Sequence, residues 1–221
     1  MKEFRHIDTW VFDLDNTLYP ASCRLFDQMH VKMGDYVMRR FGVPFEEAKR
    51  IQKQLYLKHG TTLRGLMVEH GEAPDAFLAE VHDIDYSAVP YSPDLAAALV
   101  RLPGRKLVFT AGTAGHAART MDRLGVTHLF DGVYDIVAAG HIPKPARVPY
   151  DKFLVEHAVT PQRAAFFEDI ARNLEVPHAM GMATVLVTSE DTYDDGAGEL
   201  DHVHHRTEDL TAFLAGLQLG E

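Results

Sequence analysis

From residue 90 onward, short and wholly apolar runs alternate with segments of helical character. This alternation restricts the fold more than any other feature. The runs "LVF" (107–109), "AAFF" (164–167) and "TVLV" (184–187) carry no polar residue on either side-chain face, apart from the threonine that opens the last. A strand wetted on one face alternates apolar with polar residues, whereas a strand covered on both faces does not. The spacing predicts strands at 9–12, 106–110, 134–137, 164–167 and 184–187. Helices are expected between or after them at 93–101, 114–124, 149–158, 171–180 and 207–216. Strands alternating with helices give an α/β protein with a doubly wound parallel sheet.

One block breaks the alternation. Residues 22–88 place Phe26, Met29, Met33, Val37 and Phe41 at helical spacing. Gly42-Val43-Pro44 interrupts the pattern, and a second helix runs from Pro44 to about His59. Gly60 stops it. Thr61 or Thr62 caps a third helix to about His70, and a fourth covers 74–82. The reading is a core formed by residues 1–20 and 90–221, with an α-helical cap inserted at 21–89.

With 221 residues, the chain has room for one such core plus its insert. Lys and Arg number 22 against 32 Asp and Glu, a formal net charge of −10. That balance argues against a general nucleic-acid or anionic-membrane surface. Cys23 is the single cysteine, so no intrachain disulfide can form. MKEFRHIDTW places charges where a signal peptide needs an apolar segment. No apolar run approaches the roughly 18–20 residues of a spanning helix. The expectation is a soluble cytoplasmic protein, with monomer and homodimer both open.

In an open parallel sheet, ligands bind beyond the carboxyl ends of the strands. Asp13 and Asp15 lie beyond the first strand, and Thr110 ends the second. Lys144 follows the third in "HIPKP", and Glu168-Asp169 end the fourth. On an extended backbone, Asp13 and Asp15 would project the same way. Carboxylates gathered with Glu168 and Asp169 repel one another unless a cation sits among them. An all-oxygen donor set favours a hard ion such as Mg²⁺. Such a set suits phosphoryl transfer: one carboxylate attacks phosphorus, and the other moves the leaving group's and water's protons. Lys144 would neutralise the transferring oxygens, and the Thr110 hydroxyl with the amides of Ala111-Gly112 would hold them.

"DLDNTL" (13–18), Thr110, Lys144 in "PKP" and "FFEDIARNL" (166–174) resemble the four motifs of the haloacid dehalogenase (HAD) superfamily. The resemblance covers nearly the whole chain. It implies a Rossmann-like core with a C1-type cap. It casts Asp13 as nucleophile and Asp15 as general acid/base, with the Asp15 backbone carbonyl as a Mg²⁺ ligand. Thr110 and Lys144 would bind phosphate, and Asp169 would be a side-chain metal ligand with Glu168 in the same shell. Thr17 would stabilise the first loop, and Asn173 would orient the carboxylates or Lys144. Dehalogenases of the superfamily lack an acid at the place of Asp15, so the resemblance implies phosphoryl transfer.

Within the superfamily, "FDLDNTLYP", "HGTTLRGL" (59–66), "HDIDYSAV" (82–89) and "FFED" resemble the pyrimidine 5′-nucleotidase group. This would imply hydrolysis of nucleoside monophosphates such as UMP and CMP. The group has Thr-Asn-Ala at the second motif, where this chain has Thr110-Ala111-Gly112. A sugar-phosphate phosphatase, a broad phosphatase or a phosphomutase is the alternative within enzymes, and a catalytically weak phospho-ligand binder the alternative outside them. In the cap, Arg64 is a candidate for meeting base or phosphate, beside His59, Thr61 and Thr62. The pair His202 and His204 in "DHVHHR" invites a zinc reading, but no further spaced ligand supports it and a late strand is expected instead.

Overall fold

The computed structural model describes residues 4–189 and 200–219. Most of the acidic stretch 188–201, expected as a solvated loop, lies outside them. Six strands form one all-parallel sheet: β1 (Thr9–Phe12), β2 (Arg105–Phe109), β3 (Gly132–Tyr134), β4 (Ala164–Glu168), β5 (Ala183–Val187) and β6 (His205–Thr207). Their order is β3-β2-β1-β4-β5-β6. From β1 the chain winds outward through β2 and β3, then returns to β4 on the other side. The winding therefore reverses between β1 and β4, and the crevice beyond their carboxyl ends is where an open sheet holds a ligand.

The apolar runs explain the burial. Trp10 and Phe12 of β1, Val108 of β2, Phe167 of β4 and Val185 of β5 enter one core. Val11, Leu107, Phe109, Phe166 and Leu186 enter a second core on the opposite face. Successive side chains point to opposite faces, so both must be apolar when both faces are covered. Helices α5 (Pro93–Val100), α6 (Ala114–Leu124), α7 (Arg147–Glu156), α8 (Glu175–Ala179) and α9 (Leu210–Ala215) supply much of the cover.

Between β1 and β2 the chain builds α1 (Leu25–Phe41), α2 (Phe45–His59), α3 (Thr62–His70) and α4 (Pro74–Val81). Gly42, Gly60 and Gly71 cap α1, α2 and α3 at their carboxyl ends in the left-handed conformation. Thr61 caps α3 by accepting from the Arg64 N–H at 3.1 Å. The helices enclose a third core around Met29, Leu55, Leu66, Phe77 and Val81. None of the described helices is long and apolar enough to cross a membrane.

Three elements differ from expectation. The strand expected at 134–137 is Gly132–Tyr134, because Asp135 turns the chain by accepting from the N–H groups of Ala114 and Ala138. The helix expected at 171–180 is a 3₁₀ turn (Ala171–Leu174) followed by the short α8. Pro177 has no N–H to continue a helical ladder there. The late strand begins only at His205, and the zinc reading fails among the described residues. His202 Nε2 meets the Ala171 carbonyl of the 3₁₀ turn at 2.9 Å and His204 Nδ1 meets Thr184 Oγ1 of β5 at 2.7 Å, so each ring is engaged in a structural contact.

Candidate active site

Asp13 is the first residue beyond β1. Its N–H donates to the Phe167 carbonyl at 2.9 Å, so it still follows the β4 register. The chain then turns: the N–H groups of Thr17 and Leu18 return to the Leu14 carbonyl. Asp15 consequently sits in a turn, not on the extended backbone the spacing suggested, and the two carboxylates have different partners.

Lys144 Nζ donates to Asp13 Oδ1 at 2.7 Å, and the same ammonium lies 2.7 Å from Glu168 Oε1. It also donates to the Phe109 carbonyl at 3.1 Å. Its side chain is 5% exposed, and those of Asp13 and Glu168 are 8% and 1% exposed. Asn173 Nδ2 donates to Glu168 Oε1 at 2.7 Å, and the Ile170 N–H donates to Oε2 at 2.7 Å. Glu168 is thus held by three donors and in turn holds Lys144. Asn16, with φ 58°, brings its Nδ2 to Asp169 Oδ2 at 3.3 Å.

Asp13, Glu168 and Asp169 each present an oxygen, and these oxygens lie within 4.8 Å of one another. Were all three carboxyls ionised, the one ammonium of Lys144 would leave a formal charge of −2 at this buried place. A divalent cation would cancel it, and an all-carboxylate set suits Mg²⁺. The Asp15 carboxylate is not in the cluster.

The titration of the cluster has the same cause. Burial pushes the Asp13 carboxyl up, Lys144 opposes, and Glu168 and Asp15 push further; the outcome is about 7. Burial and the neighbouring Glu168 and Asp13 raise Asp169 well above the carboxylate range. Burial alone would lower Lys144, but Asp13 and Glu168 more than offset it and its pKa is raised. A cation must displace the protons on Asp13 and Asp169. Its affinity therefore rises as pH rises through about 7, the Asp13 value. Titration calorimetry with MgCl₂ should show Kd weakening by about tenfold or more per pH unit below neutrality, at least one proton being displaced. An affinity unchanged between about pH 5.5 and 8 would contradict this cluster as the metal site.

Thr110 is buried, and its Oγ1 accepts from the Gly112 N–H at 2.9 Å. The hydroxyl keeps its own proton for donation. The Gly112 amide is accordingly engaged, and the exposed Ala111 N–H has no hydrogen-bond partner among the described residues. Thr17 Oγ1 and Asn173 Oδ1 are buried without a partner among the described residues.

Arg64, on α3, lines a cleft of about 450 Å³ between cap and core, together with His59, Gly60, Pro143 and Lys144. Its guanidinium has no ion pair or hydrogen bond among the described residues. His59 Nε2 instead meets Glu69 Oε1 at 2.7 Å, and Thr61 is spent on capping α3. Arg172 of the fourth motif joins core to cap: it hydrogen-bonds the Tyr56 hydroxyl of α2 and lies 5.1 Å over its ring.

The sequence reading missed the residues around Asp15. His116 Nε2 lies 2.8 Å from Asp15 Oδ1, and Tyr19 donates to the same oxygen at 2.6 Å. Burial would raise Asp15, but His116 first, then Tyr19 and His82, hold it below the ordinary carboxylate range. His116 stands in the first turn of α6, which Thr113 caps. Thr-x-x-His marks a helix start, but nothing in that spacing announces a partner 101 residues away.

Phosphate metabolism protein 8 of Saccharomyces cerevisiae is 26% identical over 197 residues, covering 81% of this chain and 61% of that protein. Enolase-phosphatase E1 of Frankia alni is 36% identical over 133 residues, covering 57% of this chain and 50% of that protein. The chain therefore spans only half to about three-fifths of these curated relatives. The HAD-hydrolase YfnB of Bacillus subtilis, solved with magnesium bound, superposes with a TM-score of 0.59 at 13% identity, covering 95% of this chain and 97% of that one. At that identity the likeness speaks for the fold alone. A model described as haloacid dehalogenase-like hydrolase matches residues 7–181, which span all four motifs and the inserted helices, and the chain belongs to that family.

Proposed function

We propose that the protein is a Mg²⁺-dependent phosphomonoesterase acting through an aspartyl-phosphate, with pyrimidine nucleoside monophosphates such as UMP and CMP as substrates. The observation that carries the reading is the pair of differently held carboxylates. Asp13 is gripped on one oxygen by Lys144. Asp15, two residues on, is held apart by Tyr19 and His116. The enolase-phosphatase relative, a phosphatase by name, supports the reaction class.

In the proposed reaction an Asp13 oxygen attacks phosphorus and the P–O bond to the ester oxygen breaks. That oxygen departs with a proton from Asp15, which the anionic phosphoryl group beside it favours on that carboxyl against the pull of His116 and Tyr19 towards the ionised form. Water then gives a proton to Asp15 and attacks phosphorus, the P–O bond to Asp13 breaks, and inorganic phosphate leaves. Lys144 and the Thr110 hydroxyl neutralise the transferring oxygens. Asp13 and Asp169, with Glu168 beside them and the Asp15 carbonyl, would hold Mg²⁺. When bound, Mg²⁺ supplies electrophilic stabilisation of the phosphoryl oxygens. Arg64, unpaired on the cleft wall beside Lys144, is the proposed cap contact to phosphate or base.

The substrate rests on the cap stretches "HGTTLRGL" and "HDIDYSAV" and is the part most exposed to test. Ala111-Gly112 removes an amide side chain from the second motif, which favours a sugar-phosphate or broad-specificity phosphatase, or a phosphomutase, as the second reading. Phosphate release from UMP, CMP, AMP and hexose phosphates, with MgCl₂ and with EDTA, separates these. Preference for UMP and CMP is expected, with activity lost in EDTA. Equal turnover of all esters would remove the nucleotidase assignment, and isomerisation without phosphate release would indicate a mutase.

A further inference from the structure

The departure at Gly112 and the unexpected neighbour of Asp15 are the same feature. A Cβ added at Gly112 would stand 2.8 Å from His116 Cδ2, inside any normal carbon contact. Gly112 does not lie in the left-handed region, so a side chain there lacks room and not conformation. Its absence lets the imidazole, itself 0% exposed, lie against the second-motif loop and reach Asp15.

The ring is fixed from behind by the end of the cap. The Tyr86 hydroxyl lies 3.0 Å from His116 Nδ1 and donates to the His82 carbonyl at 3.1 Å. The His82 ring stacks on His116 with centroids 4.7 Å apart and planes 20° apart. Arg119 lies 5.0 Å over the Tyr86 ring and donates to the His82 carbonyl. His116 Nε2 and the Tyr19 hydroxyl both use Asp15 Oδ1, and Oδ2 has no partner among the described residues.

We propose that His116 is the positioning residue of Asp15, seated in the space that Gly112 leaves open, and that the aromatic end of the cap fixes it there. The proposal rests on the phosphatase reading. By holding Oδ1, His116 and Tyr19 leave one Asp15 oxygen to deliver a proton to the departing ester oxygen. An alkyl ester needs that proton as its P–O bond breaks. A p-nitrophenyl ester does not, because its phenolate leaves without one.

The test compares kcat/KM for an alkyl phosphate monoester and for p-nitrophenyl phosphate, both with Mg²⁺, in wild type, His116→Ala, His116→Gln and Gly112→Ala. kcat/KM reports the steps through formation of the aspartyl-phosphate. His116→Ala should lower it about 30-fold or more for the alkyl ester and no more than about 3-fold for the aryl ester. His116→Gln, which keeps an N–H donor, should recover part of the loss. Gly112→Ala, which leaves the imidazole in the protein but displaces it, should show the same selective loss. The double variant Gly112→Ala/His116→Ala should be no worse than His116→Ala, because the clash vanishes with the ring. Equal losses on the two esters, or no loss on either, would overturn the positioning role. If His116→Ala does not fold, the Gly112→Ala comparison decides. A wild type that turns over neither ester would overturn the phosphatase reading and this role with it, an outcome distinct from a wild type active on both.

Discussion

Asp13→Asn is expected to abolish phosphate release, lowering kcat by at least about 10⁴-fold, because the amide cannot form the aspartyl-phosphate. The fold should survive. Asn has the shape of Asp, and Lys144 retains Glu168 at 2.7 Å. The stability change has a worked sign. Burial raises the Asp13 carboxyl from 3.8 to about 7, so the native state holds this proton more tightly than the unfolded chain. A group raised in this way costs stability progressively as pH climbs from about 4 towards 7. In EDTA the variant should therefore gain on the wild type across that interval, in urea or thermal melts. Normal turnover by Asp13→Asn would remove Asp13 as nucleophile. A variant that loses stability relative to wild type as pH rises would contradict the burial account of its titration.

Lys144→Met should affect both activity and stability. Its ammonium bridges Asp13 and Glu168, and all three side chains are nearly inaccessible. Removing one partner of a buried ion pair leaves the others uncompensated, at a cost of about 3–5 kcal/mol. kcat should fall by about 10²–10³-fold through loss of phosphoryl-oxygen stabilisation. Without Lys144 the carboxylate cluster carries a larger negative charge, so MgCl₂ should stabilise this variant more than it stabilises wild type. Urea melts with and without MgCl₂ read that difference. Equal stabilisation would mean that Lys144 and the cation do not share the cluster.

The core was legible because burial on both faces writes itself into single strands. "AAFF" and "TVLV" leave no wetted face, and the structure sends their alternate residues to two separate cores. The insert was legible because Gly42, Gly60 and Gly71 end helices by a local mechanism. Local rules failed where tertiary contacts compete. Residues 171–180 look helical, yet the Ala171 carbonyl accepts from His202 and the Asn173 carbonyl from the Tyr150 hydroxyl, so the first turn is 3₁₀. At Asp135, two side-chain hydrogen bonds end a strand that propensity would have continued.

The sequence by itself determined which strand ends carry Asp13, Asp15, Thr110, Lys144, Glu168 and Asp169, because strand period and loop chemistry are local properties of the chain. Only the tertiary structure decided which of them meet. Lys144 reaches Asp13 across 131 residues, and Asp15 finds His116 across 101. Such distances depend on which strands become neighbours, and that order is set by packing two faces of one sheet at once. The altered second motif belongs to the same division. Read along the chain, Gly112 merely stands where the Thr-Asn-Ala pattern has alanine; read in the fold, it is the space in which His116 lies beside Asp15.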